Sequence, residues 1–314
     1  MPKVSIIIPM HNSEAFIEET LLSCLDQSYQ DIEIVVVENG SHDKSYEVVQ
    51  ALKDERIQLY KMNGANAAAA RNYGYHKAVG EYITFLDADD VLSPNKIALQ
   101  IEALQNKPKN WIASCAWAKF KHQVDESVIQ PQEVWRIKNP LDWCISAMTG
   151  GGMMIPGCWL IPKHIIDKAG GWNESLSLHD DGEFMCRVLL ASKGNVFVED
   201  AVVYYRQVED SLSKKNKSLI AAKSALAVYQ SYEKQVLEYE NTNRTREALA
   251  HNYCQLLYEF YPNYRQVLQQ AKQHLKNLNV NPVPKVGSKT FKQSVDYLGF
   301  DHALKILAVK RFFN

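Results

Sequence analysis

The chain has 314 residues, 46% of them hydrophobic, 10% aromatic and 23% charged, which is enough apolar material for one large α/β domain plus an appendage. This excludes a disordered, collagenous or small disulfide-stapled protein. With 35 Lys and Arg against 36 Asp and Glu, the formal charge is -1, so no global field draws in nucleic acid and polyanion binding needs a local patch.

The first 90 residues alternate Val- and Ile-rich runs with helix-period segments, the pattern of βαβ units that build a sheet with helices on its faces. Strands are predicted at Val4–Ile8, Ile32–Glu38, Ile57–Lys61 and Tyr82–Leu86, near-continuously apolar as suits strands buried on both faces. Helices are predicted over Ser13–Gln27 with Ser13 as N-cap, over Ser45–Lys53 after the turn Asn39-Gly40-Ser41, and over the Ala-rich Asn66–Val79 with Gly80 at its C-terminus. A helix over Pro94–Gln105, a strand over Trp111–Phe120 and a polar loop or peripheral hairpin reaching Asn139 follow. Next come a helix at Leu141–Met148, a Gly-rich stretch at Gly150–Gly152, a strand at Cys158–Ile161, helices at Lys163–Ala169 and Asp181–Ala191, and the alternating strand Asn195–Tyr205. After about Ser213 the character changes. Ser218–Glu240, Asn243–Phe260 and Tyr264–Leu278 have helical spacing and no convincing strand, which divides the chain into residues 1–213 and a helical region 214–314.

The six cysteines (Cys24, Cys115, Cys144, Cys158, Cys186, Cys254) are scattered, with no C-x-x-C pair, and read as reduced core thiols of a cytosolic protein. The start MPKVSIIIPM lacks a basic n-region, a long apolar h-region and a cleavage site, so no export signal is expected. No apolar run approaches the roughly 18 to 20 residues of a spanning helix.

Chemistry concentrates at predicted strand ends, where open α/β sheets place their ligands. Asp87-Ala88-Asp89-Asp90 follows the fourth strand directly. Such a hard-oxygen cluster suits Mg²⁺ or Mn²⁺ bridging a diphosphate, although a solvated acidic turn capping the next helix explains a lone D-x-D as well. Pro9-Met10-His11-Asn12 and Glu38-Asn39-Gly40-Ser41 end the first two strands and line the same edge. Asn66 and Arg71 open the third helix, where amides and a guanidinium can meet anionic oxygen. Taken singly, His11 or Asn12 could cap a helix and Arg71 could be a surface ion-pair partner.

Taken together, the PMHN start, VVVENGSHD, ARN, GEYITFLDADD and HDDGEFMCR, in this order and spacing, resemble family 2 glycosyltransferases of the bacterial surface-polysaccharide type, over about residues 1–213. The resemblance implies the GT-A fold, a Rossmann-like mixed sheet with helices on both faces, and a nucleoside-diphosphate sugar donor, a UDP-sugar in the first place. It assigns Pro9, His11, Asn12, Glu38, Asn39, Arg71, Asp87, Ala88 and Asp89 to the nucleotide cradle, with Glu38 and Asn39 facing the base, Asp87 on the sugar-ribose side and Asp89, with Asp87, on Mn²⁺ or Mg²⁺. Asp181 of Asp180-Asp181-Gly182-Glu183 matches the family's catalytic base. An inverting transfer needs a carboxylate to take the acceptor hydroxyl's proton while a metal stabilises the leaving charge. Asp180 and Trp172 of Gly170-Gly171-Trp172-Asn173-Glu174 would border the acceptor. Helix capping accounts for Asp180 and Asp181 equally, and a core anchor role accounts for Trp172. Tyr204-Tyr205-Arg206 to Ser213 matches a loop that closes over the donor, bringing Lys214, Lys215 and Lys217 toward the diphosphate. Two positions depart from the family: Asn39 where a second acid is common, and Val208 where a histidine is common, so that a metal or diphosphate contact is either missing or supplied by another residue such as His179.

Residues 214–314 lie outside the resemblance. Their helices pack on the catalytic domain or pair with another subunit in a homodimer, and Asp301–Phe313 combines apolar residues with Lys305, Lys310 and Arg311, a composition that suits an interfacial helix on an anionic leaflet as well as one docked on its own domain. The expectation is an inverting, metal-dependent transferase acting on a glycan or lipid-linked acceptor at the cytoplasmic face of the plasma membrane. Two alternatives stay open. A non-catalytic nucleotide- or glycan-binding module would keep the sheet without turnover, and a sugar nucleotidyltransferase would need a Gly-rich basic loop after the first strand, where PMHNSE stands.

Overall fold

The structure is a computed structural model that describes residues 3–208, 217–281 and 283–313, the last without the side chain of Phe313. In chain order it contains β1 (Val4–Met10), α1 (Ile17–Leu25), β2 (Ile32–Asn39), α2 (Ser45–Ala51), β3 (Ile57–Met62), α3 (Ala67–Lys77) and β4 (Tyr82–Phe85). These are followed by β5 (Val91–Leu92), α4 (Lys96–Gln105), β6 (Trp111–Phe120), β7 (Val128–Ile129), α5 (Pro140–Met148), β8 (Ile161–Pro162), α6 (Lys163–Ala169), α7 (Asp180–Ala191) and β9 (Gly194–Arg206). Five helices close the chain: α8 (Leu219–Tyr239), α9 (Asn243–Phe260), α10 (Arg265–Leu278), α11 (Lys289–Leu298) and α12 (Phe300–Phe313).

The strands form two sheets, ordered β3-β2-β1-β4-β8 and β5-β9-β6-β7. β1 pairs in parallel with β2 and with β4, and β2 with β3. Parallel neighbours require crossover helices, which α1, α2 and α3 supply. β2 is buried along its whole length, and Val4, Ile6, Ile7 and Ile8 of β1 are fully buried, as expected of strands covered on both faces. In the second sheet β9 pairs in parallel with β6, with a register shift between Cys115 and Ala116, and antiparallel with β5. The short pairing of β7 with β6 makes the peripheral hairpin.

Three local expectations are corrected. Ser13 does not cap α1 with its side chain: its carbonyl accepts from Phe16 and Ile17, its hydroxyl donates to the His11 carbonyl, and the helix proper starts at Ile17. Gly80 is not a left-handed cap; its amide donates 2.8 Å to Ser5 Oγ, and a Cβ there would stand 2.5 Å from that oxygen, so the residue serves close approach to β1. The strand expected at Cys158–Ile161 is a 3₁₀ turn at Pro156–Cys158 followed by the two-residue β8.

The chain divides into two compact units. The first holds Met1–Trp143, Gly152–Glu174 and Phe184–Ser211, and the second holds Cys144–Gly151, Ser175–Glu183 and Leu212–Asn314. The second unit thus takes in two short segments from within the first 213 residues as well as α8–α12. Within it, Glu233 of α8 accepts from Tyr253 of α9 (2.5 Å) and lies 2.9 Å from His274 Nδ1 of α10. All six cysteines are free and buried. No helix among the described residues is long and apolar enough to cross a membrane.

Candidate donor site and the acidic helix start

Because β1 lies between β2 and β4 in parallel, the turns after these three strands share one edge of the first unit. His11 and Asn12 are exposed there. His11 Nδ1 lies 2.9 Å from the Asn39 carbonyl, and its Nε2 lies 3.2 Å from Asn12 Nδ2. Asn12 takes a positive φ of 48°, donates its backbone N–H to Ser41 Oγ at 3.1 Å and accepts at its side-chain Oδ1 from the His42 amide at 2.8 Å, so the first turn is laced to the second. Pro9 is half-buried within β1 itself, opposite Val37.

Glu38 is buried, and its carboxylate accepts from the Ser41 amide at 2.5 Å. Asn39 is also buried, with both ends of its amide committed: Nδ2 donates to the Ala65 carbonyl (2.7 Å) and Oδ1 accepts from the Ala65 amide (2.8 Å). The expectation that Asn39 faces the base is therefore corrected. It holds the loop leading into α3, a task needing both a donor and an acceptor, which a carboxylate cannot supply. That loop ends at Asn66, whose side chain caps α3 by accepting from the Ala69 amide at 2.9 Å.

The acidic turn follows β4. Asp87 Oδ1 accepts from Arg71 Nη2 at 2.8 Å, with the two side chains 31% and 6% exposed. Arg71 also lies 4.4 Å from the centre of the Trp172 ring. Its guanidinium is thus buried behind Asp87, and its expected direct place in the cradle becomes a supporting one. The backbone of the turn is gripped from outside it: the Ala88 carbonyl accepts from Thr20 Oγ1 of α1 (3.1 Å), and the Asp89 carbonyl from Arg206 Nε of β9 (2.9 Å). Arg206 in turn pairs with Glu19 at 2.5 Å and covers the Phe120 ring at 4.3 Å. Asp90 is buried, with Oδ1 accepting from the Arg206 amide at 3.1 Å and Oδ2 making no hydrogen bond. Burial and the neighbouring Asp87 push the Asp89 carboxyl up to about 6, and burial pushes Asp90 well above the usual carboxylate range.

Asp87 is paired with Arg71, whereas Asp89 stands half-buried beside Asp87, its charge only partly offset by the nearby Arg206. Among the described residues no group of three or more His, Cys, Asp or Glu side chains converges on a metal position. A divalent ion of the Mg²⁺ type takes one or two protein carboxylates and completes its shell with phosphate oxygens and water. The residues present fit an ion that arrives with a diphosphate.

Trp172 is buried, stacked on Phe184 at 4.2 Å and 13°, and set edge-on to Phe85 at 5.2 Å. With Arg71 also over its ring, it is a core anchor, and the expected platform for an acceptor sugar is corrected. Its backbone is clamped by Asn72, which accepts from the Trp172 amide (2.8 Å) and donates to its carbonyl (2.9 Å). Arg187 donates to the carbonyls of Ala169, Gly170 and Gly171 at 2.8 to 2.9 Å. The arginine of the second acidic motif and the asparagine of ARN therefore hold one segment.

In the second unit, Asp180 and Asp181 are half-buried in the first turn of α7, after His179 in the left-handed region at φ 60°. Carboxylates at this position meet the positive end of the helix dipole. Glu183 is buried and accepts from Ser231 Oγ at 2.7 Å. Lys217 is exposed in this unit, while Ser211, Ser213, Lys214 and Lys215 lie outside the described residues. Sequence reasoning missed Thr20, Glu19 and the buried role of Asp90. The DADD run signals Asp90, but a threonine inside an amphipathic helix carries no signal of its own.

A mixed sheet, parallel from β3 to β4 with β8 antiparallel at its edge, that carries an acidic turn after the fourth strand and is accompanied by a second small sheet and C-terminal helices, is the GT-A fold. Residues 5–169, more than half of the chain, match the model of Glycosyl transferase family 2, and the chain belongs to that family of glycosyltransferases. A glycosyltransferase of Haemophilus influenzae is 46% identical over 110 residues, 34% of this chain and 44% of that protein. One of Rickettsia typhi is 33% identical over 212 residues, covering 67% of this chain and 65% of its relative, so the chain spans less than two thirds of each of these two proteins. GlyG of Streptococcus pneumoniae is 28% identical over 239 residues, 72% of this chain and 78% of GlyG. Among solved structures, S. aureus TarS 1–349 in complex with UDP-GlcNAc superposes with a TM-score of 0.69 at 17% identity, covering 99% of this chain and 92% of that one. That likeness is one of fold.

Proposed function

We propose that the chain transfers a sugar from a nucleoside-diphosphate sugar, a UDP-sugar first, to a hydroxyl of a glycan or lipid-linked acceptor in surface-polysaccharide synthesis, with inversion at the anomeric carbon. The observation that carries this reading is the acidic turn: its peptide planes are held by Thr20 and Arg206, and Asp89 stands half-buried beside Asp87 with its charge only partly offset by Arg206. The UDP-GlcNAc bound by the structurally similar TarS supports the donor class.

In this reading Asp89, backed by Asp87, holds Mn²⁺ or Mg²⁺. When bound, the ion supplies charge stabilisation to the departing diphosphate. Glu38 orders the Ser41 turn beside the nucleoside, and His11 and Asn12 form the exposed rim. Asp181 takes the proton of the attacking hydroxyl. Asp180, next to it in the same helical turn, contacts the acceptor. A C-terminal helix resting on the membrane would bring the enzyme to a lipid-linked acceptor.

Calorimetric titration of UDP, GDP, CDP and dTDP with Mn²⁺ and with EDTA, alongside transfer assays, tests the division of roles. Asp89→Ala is expected to lose cation-dependent nucleotide binding. Asp181→Asn is expected to bind the nucleotide within about threefold of wild type while losing transfer by roughly a thousandfold or more. Normal transfer by both variants would refute the site. Nucleotide binding without turnover on any acceptor would favour the binding-module reading.

A further inference from the structure

We infer that the exposed face of the last helix, with the cavity beside it, is a docking surface for an anionic phospholipid bilayer. Helix α12 turns one face into its own unit: Ala303 and Leu304 are buried, and Leu307, Ala308 and Arg311 half-buried, a spacing that describes a single helical face. The other side carries Lys305, Ile306, Val309, Lys310 and Phe312, all exposed. Phe312 is 84% and Val309 57% exposed. At the start of α8, also in this unit, Leu219 and Ile220 are exposed as well.

Beside this face opens a cavity of about 610 Å³, walled by Phe260, Tyr261, Val309 and Phe312, with Lys217 and Arg311 as its cations and Glu259 as its acid. Arg311 is fixed at the wall by donating to the carbonyls of Glu259 (3.2 Å) and Tyr261 (2.8 Å). Large apolar side chains exposed around a cleft mark a surface that something apolar covers.

Charge decides what covers it. The exposed apolar side chains stand among the cations Lys217, Lys305 and Lys310, and the one acid in α12, Asp301, is ion-paired with Lys272 at the far end of the helix. Aromatic and aliphatic groups framed by lysines lie at the boundary between acyl chains and headgroups, with the lysines drawn to anionic lipid. The cleft offers room for part of a lipid headgroup against Lys217 and Arg311.

The test is co-sedimentation of the full chain, without donor, with vesicles of phosphatidylglycerol and phosphatidylcholine in equal parts and with vesicles of phosphatidylcholine alone. Binding to the anionic vesicles only is expected, reduced about tenfold by Phe312→Ser and by the double variant Lys305→Glu, Lys310→Glu. Because the substituted side chains are exposed, these variants should keep the wild-type circular dichroism spectrum and nucleotide titration. Equal binding to both vesicle types, no binding to either, or self-association blocked by Phe312→Ser would overturn the proposal. So would full competition by glycerol phosphate, which would assign the cleft to a small soluble anion. Vesicle binding is read without sugar transfer, so this proposal and the transfer reading stand or fall separately.

Discussion

Thr20 shows how much of the acidic turn depends on a residue outside it. Its hydroxyl is fully buried and fixes the Ala88 peptide, and so sets the direction in which the Asp89 side chain leaves the backbone. Thr20→Val keeps the shape of the side chain and removes only this donor, leaving a buried carbonyl without its partner. We expect about tenfold weaker nucleotide binding in Mn²⁺ by calorimetry, little change in EDTA, and recovery in Thr20→Ser. Equal weakening with and without the ion would assign Thr20 to general stability only. Asp89 itself makes stability depend on pH. Its folded-state value lies near 6, above that of an ordinary carboxyl, so the folded state holds the proton more tightly than the unfolded chain. The stabilisation is full below the ordinary value and is lost as pH rises through about 6, at most about 3 kcal/mol for a two-unit rise. In EDTA the thermal midpoint should therefore fall between about pH 5 and pH 7.5, less steeply in Asp89→Asn, with Mn²⁺ restoring wild type at the higher pH. A midpoint in EDTA as pH-dependent in Asp89→Asn as in wild type would remove Asp89 from this account.

At the scale of elements, the segment after α6 joins two motifs that look independent in the chain. Asn72 from α3 and Arg187 from α7 both hold the backbone around Gly171 and Trp172, and the indole fills the space between Phe85 and Phe184. Trp172→Ala should cost about 3–5 kcal/mol, the range for losing a buried tryptophan. The check is chemical denaturation, with Trp172→Phe recovering much of the loss. An alanine variant of wild-type stability but weakened acceptor affinity would restore the sugar-platform role. The same segment shows why element boundaries moved. Cys158–Ile161 reads as a strand, yet Gly157 sits against Leu86 and Val203 and the chain turns at Pro156–Cys158 before making the two-residue β8. Local pattern cannot register a contact with strands some 70 residues earlier and 45 later.

For the molecule as a whole, the sequence by itself determined the βαβ order, the apolar runs of β1 to β4, the acidic turn after β4 and the helical character of α8 to α10, because these follow from side-chain periodicity and turn chemistry, which act locally. It also determined the family through five motifs in order. Only the tertiary structure decided what each motif residue faces. Asn39 turned from a base contact into a clamp on Ala65, Arg71 went behind Asp87, and Trp172 went into the core. Likewise Thr20 and Arg206, 68 and 117 residues from the carbonyls they hold, became part of the acidic turn. The separation into two sheets, and the gathering of Cys144–Gly151 and Ser175–Glu183 with the helices after 212, were likewise out of reach of local pattern. The physical reason is common to all of these: hydrogen bonds and burial are satisfied between residues distant in the chain, and a buried amide, guanidinium or indole takes whichever partner the packing brings within reach.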